Sequence, residues 1–341
     1  MDILMGFGRY EGGGFTTVVT SLARALQLRG HNVTVGVRTI LVDTPEDVDV
    51  RVMTPKEFKE VSRGFDIVHI HTSFPYTYEV AKDDIKFVFT HHGYCPWYLV
   101  PGLKGKLVHL ALKYAYLPLL RKASVLTAIS HYVRRQIRSI YGLEAVVVPN
   151  GVNLGLFRRI SVEKPEGFPI LFNATTWSKQ KGPDILIKDF RVLRREYPEA
   201  RLIVKMPNNP DSWTSRLYDR TIGQEEGVLM VPFDRKELPV RYYSMADIYL
   251  LTSRWESFAL PILESFAVGT PVLARDADDA RREHIHASGG GLLYTGGDII
   301  SRLREILHKW RTFSRKGMEY SKKFDWNNIA SKYEKLYEEV T

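Results

Sequence analysis

Short apolar runs alternate with segments of helical period along nearly the whole chain, and that alternation leaves few folds open. Asp2–Phe7 reads as a strand and Gly12-Gly13-Gly14 as a turn. Val18, Val19, Leu22 and Leu26 form one face of a helix that Gly30 stops. Val33, Val35 and Val37 alternate as a second strand. Phe65–Ile70, Phe87–Thr90, Val125–Ile129 and Val146–Val148 continue the series. Strands separated by helical segments imply a parallel sheet covered by helices on both faces.

Ser161–Pro169, punctuated by Pro165, Gly167 and Pro169, reads as a linker. A second series follows: Ile170–Ala174, Ala200–Lys205, Val228–Val231, Ile248–Leu251 and Pro271–Ala274, with a helix over Asp184–Glu196. The 341 residues suit two domains at roughly 100–200 residues each. The expected fold class is therefore α/β: two Rossmann-like, doubly wound parallel-sheet domains, over 1–160 and 161–324, facing a central cleft. Open α/β sheets bind ligands beyond the carboxyl ends of their strands, so the cleft is the expected site.

Composition narrows the classes of function. A hydrophobic fraction of 44% with 26% charged residues excludes a disordered chain. The net charge of +9 favours anionic partners without choosing between nucleoside diphosphates, lipid surfaces and nucleic acid, and a generally basic, solvated surface explains it equally. No nucleic-acid-binding module is recognisable, so no nucleic-acid partner is expected. Cys95 is the single cysteine, which rules out an intrachain disulfide; a buried apolar role is expected for it rather than nucleophilic chemistry. Met1-Asp2-Ile3-Leu4 lacks the basic start of a signal peptide. The longest apolar region, Leu107–Leu120, is interrupted by His109, Lys113 and Pro118. A cytoplasmic location is expected.

The most informative stretch runs from Ser253 to Val272. It reads as a loop, a helix start with Pro261 at the first helical position, a short helix stopped by Gly269, and a strand. Unpaired amides around Leu260 would favour phosphate charge. Glu256 in the loop and Glu264 in the first turns of the helix would accept hydrogen bonds from sugar hydroxyls. On spacing alone the alternative stands that Glu264 caps its helix and Glu256 is solvated.

This stretch resembles the pattern of the retaining glycosyltransferase family 4, which has the GT-B fold of two Rossmann-like domains. The serine, both glutamates, the phenylalanine, Ala267, Gly269 and Pro271-Val272 match. The resemblance covers nearly the whole chain, including Gly12-Gly13-Gly14, Arg29–Val35, Asp66–His71, Thr90–Gly93, Ala128–Ser130, Val148–Asn153, Phe157, Lys181-Gly182 and Tyr243–Asp247. The final segment, from about Asp325 to Thr341, is similar to the family's C-terminal helix, which commonly packs back on the first domain. The resemblance implies roles: Glu264 on the donor ribose, Glu256 on the transferred sugar, and Lys181 on the diphosphate. The amides of Phe258, Ala259 and Leu260 would lie at sugar and phosphates, His92 near the reacting carbon, and Gly13 and Gly14 over the phosphates. It implies no metal and no cofactor beyond the nucleotide sugar.

Four positions depart from the family pattern. Thr176 stands where an arginine usually precedes the Lys-Gly pair, with Lys179 as a candidate replacement; both are carried as donor-binding candidates. Ala259 replaces the usual glycine, and Asp278-Asp279 a common Gly-Gly.

The implied function is transfer of a hexose from a nucleotide diphosphate sugar to a hydroxyl of a glycan or lipid-linked acceptor. The alternatives are an epimerase or phosphorylase on the same scaffold, or a nucleotide-sugar-binding protein without catalysis. Gly6-Phe7-Gly8 followed by Gly12 misses the dinucleotide fingerprint by one residue, which disfavours a nicotinamide enzyme. His69, His71, His91 and His92 suit cleft lining better than metal ligation. Between Trp97 and Lys122, aromatic residues mix with Lys104, Lys106, Lys113, Arg121 and Lys122, and Arg134, Arg135 and Arg138 follow. That mixture fits either a core helix with a basic outer face or peripheral contact with an anionic membrane, at its inner face.

Overall fold

The computed structural model describes residues 1–174, 177–205, 222–231 and 239–341. The chain divides into two compact units, Met1–Gly151 with Phe324–Thr341, and Val152–Lys323. The expectation of two doubly wound parallel sheets holds.

The first unit is built on β1 (Asp2–Tyr10), α1 (Gly14–Gln27), β2 (Asn32–Ile40), β3 (Asp49–Val52), α2 (Pro55–Ser62), β4 (Ile67–His71), α3 (Phe74–Lys82), β5 (Val88–His91), α4 (Leu103–Leu120), β6 (Val125–Ala128), α5 (His131–Tyr141) and β7 (Val146–Val147). Its sheet runs β3-β2-β1-β4-β5-β6-β7, with every pair parallel. The direction of strand addition reverses between β1 and β4, which creates a crevice at their carboxyl ends. Ile3, Leu4, Met5, Val35, Ile70 and Phe89 are wholly buried, as strands covered on both faces require. Gly6 belongs to this core: a Cβ there would lie 2.5 Å from the Phe58 ring, so the glycine serves ring packing inside β1 and not a cofactor turn.

The second unit contains β8 (Ile170–Asn173), α6 (Pro183–Glu196), β9 (Arg201–Lys205), β10 (Val228–Val231), α7 (Val240–Met245), β11 (Ile248–Leu251), α8 (Leu260–Val268), β12 (Val272–Arg275), α9 (Asp279–Ser288), β13 (Gly291–Tyr294), α10 (Ile299–His308) and α11 (Trp310–Ser321). Its sheet order is β10-β9-β8-β11-β12-β13, again all parallel, with the reversal between β8 and β11. Leu171, Leu202, Leu250 and Leu273 from four strands meet Phe190, Leu193 and Leu303 from the helices in one core.

The last helix, α12 (Trp326–Glu338), belongs to the first unit. Glu334 pairs with Arg29 and His31 just past α1. Tyr337 and Tyr333 reach the buried His69 and Thr90 on β4 and β5. Burying His69 without water requires such partners, so this helix completes the core beneath it.

Candidate functional site

In the second unit the loops after β8 and β11 leave the sheet on either side of its reversal, and each delivers one charged residue. Lys181 follows β8. It is held by Gly182, which is left-handed (φ 66°) and whose absent Cβ would lie 2.7 Å from the Thr252 carbonyl. Only glycine fits there. Glu256 follows β11. The Lys181 ammonium donates to both Glu256 carboxylate oxygens at 2.8 Å, across 75 residues of sequence. Burial pushes the Glu256 carboxyl up, but the charge and hydrogen bond of Lys181, with Arg281 farther off, outweigh it and hold the group below its usual value. Glu256 is therefore a buried carboxylate, not a solvated one.

A second ion pair supports the Glu256 loop. Asp278 accepts the Glu256 amide at 2.9 Å and pairs with Arg281, and both side chains are essentially inaccessible to solvent. Asp278 also caps α9, accepting from the Arg281 amide. The Arg281 guanidinium donates onward to the Arg275 carbonyl at 2.8 Å, so this buried charge has several partners.

The helix α8 starts without a side-chain cap. Its N-cap is Ala259, at φ 60° and ψ 51°. This is the left-handed region that glycine enters freely and alanine at a cost of roughly 1–2 kcal/mol. Pro261 is the second helical residue, one later than expected, and Gly269 ends the helix left-handed as expected. Glu264 lies in the second turn and caps nothing; the Tyr243 hydroxyl donates to it at 2.8 Å. Burial raises the Glu264 carboxyl above its usual value, against the opposing pull of Tyr243 and then Lys205. The Phe258 carbonyl accepts from His284 Nε2–H at 2.8 Å, and the two rings meet edge to face. Burial lowers the pKa of His284 to about 4, so it holds this loop as a neutral donor.

In the first unit, Gly12 and Gly13 lie between β1 and α1, with Gly13 as N-cap and Gly14 the first residue of the helix. Neither Gly13 nor Gly14 has a positive φ, and a Cβ at either would meet nothing within 4 Å. The protein itself thus has no steric need of glycine at these positions. His92 follows β5 and is half-buried, its ring edge against Phe15 at 4.4 Å. Its Nε2 lies 3.1 Å from Nδ1 of His71, so one proton serves both nitrogens. Nε2 of His71 is buried without a partner. Thr72, left-handed at φ 40°, accepts the His92 amide on its hydroxyl oxygen and donates to the Thr90 carbonyl. A β-branched residue in that region is strained, and here its hydroxyl fixes the backbone of His92.

Some expectations change. His69, His71 and His91 are buried and line no open edge; His69 is enclosed beneath α12. Cys95 is half-buried rather than buried. Among the described residues, no group of three or more His, Cys, Asp or Glu side chains could hold a metal ion. Lys179 is exposed, and its carbonyl accepts from Arg254. Thr176 lies outside the described residues. Tyr243, His284 and the Asp278–Arg281 pair were missed as site residues. Their link to the loops is spatial, and only the unusual Asp278-Asp279 hinted at it.

Two parallel sheets, each reversing its strand order once, make up the GT-B fold, the architecture of a class of sugar transferases. The fold matches sucrose-phosphate synthase from Thermosynechococcus elongatus with a TM-score of 0.84 at 18% identity, over 99% of this chain and 98% of that one. It matches Anabaena HepE, solved in complex with UDP-glucose, with a TM-score of 0.78 at 16% identity over 100% of both chains. The Glycosyltransferase Family 4 description matches residues 12–156 and Glycosyl transferases group 1 matches 157–324. The chain belongs to this group 1, family 4 lineage of glycosyltransferases. It is 25% identical to an uncharacterized glycosyltransferase of Methanocaldococcus jannaschii over 82% of this chain and 77% of the relative. It is also 25% identical to a phosphatidyl-myo-inositol mannosyltransferase of Mycobacterium leprae, over 62% of this chain and 58% of that protein.

Proposed function

We propose that the protein is a retaining, metal-independent hexosyltransferase that takes a nucleotide diphosphate sugar as donor and a hydroxyl of a glycan or glycolipid as acceptor. The observation that carries this reading is the Lys181–Glu256 pair at the reversal of the second sheet, close in sequence to the uncapped start of α8. Lysine and the start of α8, which has no side-chain cap, offer the positive charge that a departing diphosphate needs. Glu256, kept ionised, and Glu264 offer acceptors for hydroxyls of the sugar and the ribose. Glycines at 13 and 14 that the fold does not require leave room for a bound group to approach the backbone. The neighbour solved with UDP-glucose supports a nucleotide-sugar donor.

In the proposed reaction the bond from the anomeric carbon to the diphosphate oxygen breaks. The acceptor oxygen bonds to that carbon on the same face, and its proton passes to the departing phosphate. His92 stays neutral, because burial and then His71 and His91 push its pKa well down; it can donate a hydrogen bond without carrying charge. Ala259 holds a left-handed backbone that glycine would adopt without strain. A glycolipid acceptor would place the reaction at the inner face of a membrane.

Lys181→Ala and Glu264→Ala are each expected to lower transfer from UDP-glucose at least a hundredfold, while EDTA leaves the wild-type rate unchanged. Lys181→Ala strands a buried carboxylate, so Lys181→Met/Glu256→Gln serves as the folded control. Wild-type turnover in that double variant would refute the assignment.

A further inference from the structure

An ordinary surface helix turns its polar face to water, and α4 does the opposite. Leu103, Leu107, Leu110, Ala111, Tyr114 and Pro118 are all exposed and recur at i, i+4, i+7, i+8, i+11 and i+15, a single stripe at about 100° per residue. Leu103 is 75% and Tyr114 71% exposed, whereas Leu120 is the one buried residue of the helix. Lys104 borders the stripe on one side, Lys106 and Lys113 on the other. Just before the helix, Trp97 and Tyr98 are each more than half exposed. Lys106 lies over the Trp97 ring at 5.4 Å and Lys113 over the Tyr114 ring at 5.7 Å, so cations and apolar rings share one surface. The outer face is therefore apolar with a basic border, not basic as a core helix would show.

Charge completes the pattern. Between Asp84 and Glu144 the sequence has nine lysines and arginines and no acidic residue. Lys122 pairs with Asp84, and Arg134 and Arg138 with Glu144. No carboxylate pairs with Lys104, Lys106, Lys113 or Arg121 among the described residues.

We propose that this face, α4 with Trp97 and Tyr98, docks in the plane of an anionic lipid leaflet. The leucine stripe and aromatic rings would enter the headgroup–acyl boundary while the lysine stems lie along it and their ammonium groups reach the phosphates. A second copy of the chain is the poorer occupant, because a two-fold interface would set this basic surface against itself. A lipid leaflet offers apolar depth and negative charge together. The inference deepens the glycolipid reading above, yet its test needs no sugar donor, so each can fail without the other.

The test is co-sedimentation of the full chain with vesicles of phosphatidylcholine alone or with about 30% phosphatidylglycerol. Binding is expected to the anionic vesicles only, to fall steeply in about 0.5 M salt, and to shift Trp97 fluorescence to the blue. Lys104→Gln/Lys106→Gln/Lys113→Gln should weaken partitioning about a hundredfold, at roughly fivefold per lysine. Leu107→Gln/Leu110→Gln/Tyr114→Ser should abolish the fluorescence shift. All six side chains are exposed or half-exposed, and circular dichroism confirms that each variant is folded. Equal binding to neutral vesicles overturns the proposal, as does no binding to anionic ones. A concentration-dependent dimer that the apolar variant abolishes also overturns it.

Discussion

Acidification is expected to open the first unit before the second, through histidines kept neutral in its core. Burial pushes the pKa of His69 down to about 3 and that of His91 to about 4. Those of His71 and His92 move the same way, from burial first and neighbouring histidines second. An unfolded histidine titrates near 6.5, so below that value the unfolded chain binds protons that the folded chain refuses. Stability from these groups is complete above about pH 6.5 and is lost as pH falls towards the folded pKa values. At about pH 5, each of His69 and His91 contributes a loss of about 2 kcal/mol, from 1.5 units at 1.36 kcal/mol per unit. The loss of about 4 kcal/mol from these two is a large part of a domain's usual 5–15 kcal/mol. In the second unit burial holds one histidine down in the same way, His284, to about 4, while Glu264, whose carboxyl burial pushes up, takes its proton more readily in the folded state and so adds stability as pH falls. Urea midpoints at about pH 8, 6.5 and 5, with hydrogen exchange to separate the units, measure the effect. A first unit as stable at about pH 5 as at pH 8, or imidazole resonances titrating near 6.5, would refute the reasoning.

Two further outcomes follow from the second unit. Arg281→Met leaves Asp278 buried and uncompensated beside the Glu256 amide, and is expected to cost about 3–5 kcal/mol by denaturant unfolding; a cost under about 1 kcal/mol would show that the pair bears no such burden. Ala259→Gly relieves left-handed strain of about 1–2 kcal/mol but gives the unfolded chain about 0.4–1 kcal/mol of extra freedom. A net stabilisation of about 0–1.6 kcal/mol, read as a raised thermal midpoint, is expected, and a clear destabilisation would contradict the strain.

Much of the architecture was legible because buried parallel strands are written as apolar runs: Val228–Val231 and Ile248–Leu251 match residue for residue. Two strands were missed for opposite reasons. β3, Asp-Val-Arg-Val, is an edge strand whose polar residues hide the pattern, and β13 emerges directly from a glycine run that reads as a turn. In the site, Lys181, Glu256 and Glu264 stand out as a motif, but their partners do not. That Lys181 meets Glu256 depends on two loops leaving neighbouring strands, and that Tyr243 meets Glu264 depends on α7 packing against α8. The apolar outer face of α4 was hidden in plain composition: only exposure distinguishes a leucine stripe turned to solvent from one turned to a core.

The position of α12 has a consequence for synthesis. Residues 1–151 leave the ribosome first, but their core lacks Tyr333 and Tyr337 until residues 324–341 have been made. At about 5–20 residues per second the nascent first unit waits roughly 10–40 s for its final helix, with His69 unsealed throughout. The second unit, continuous in sequence, can finish folding before the first.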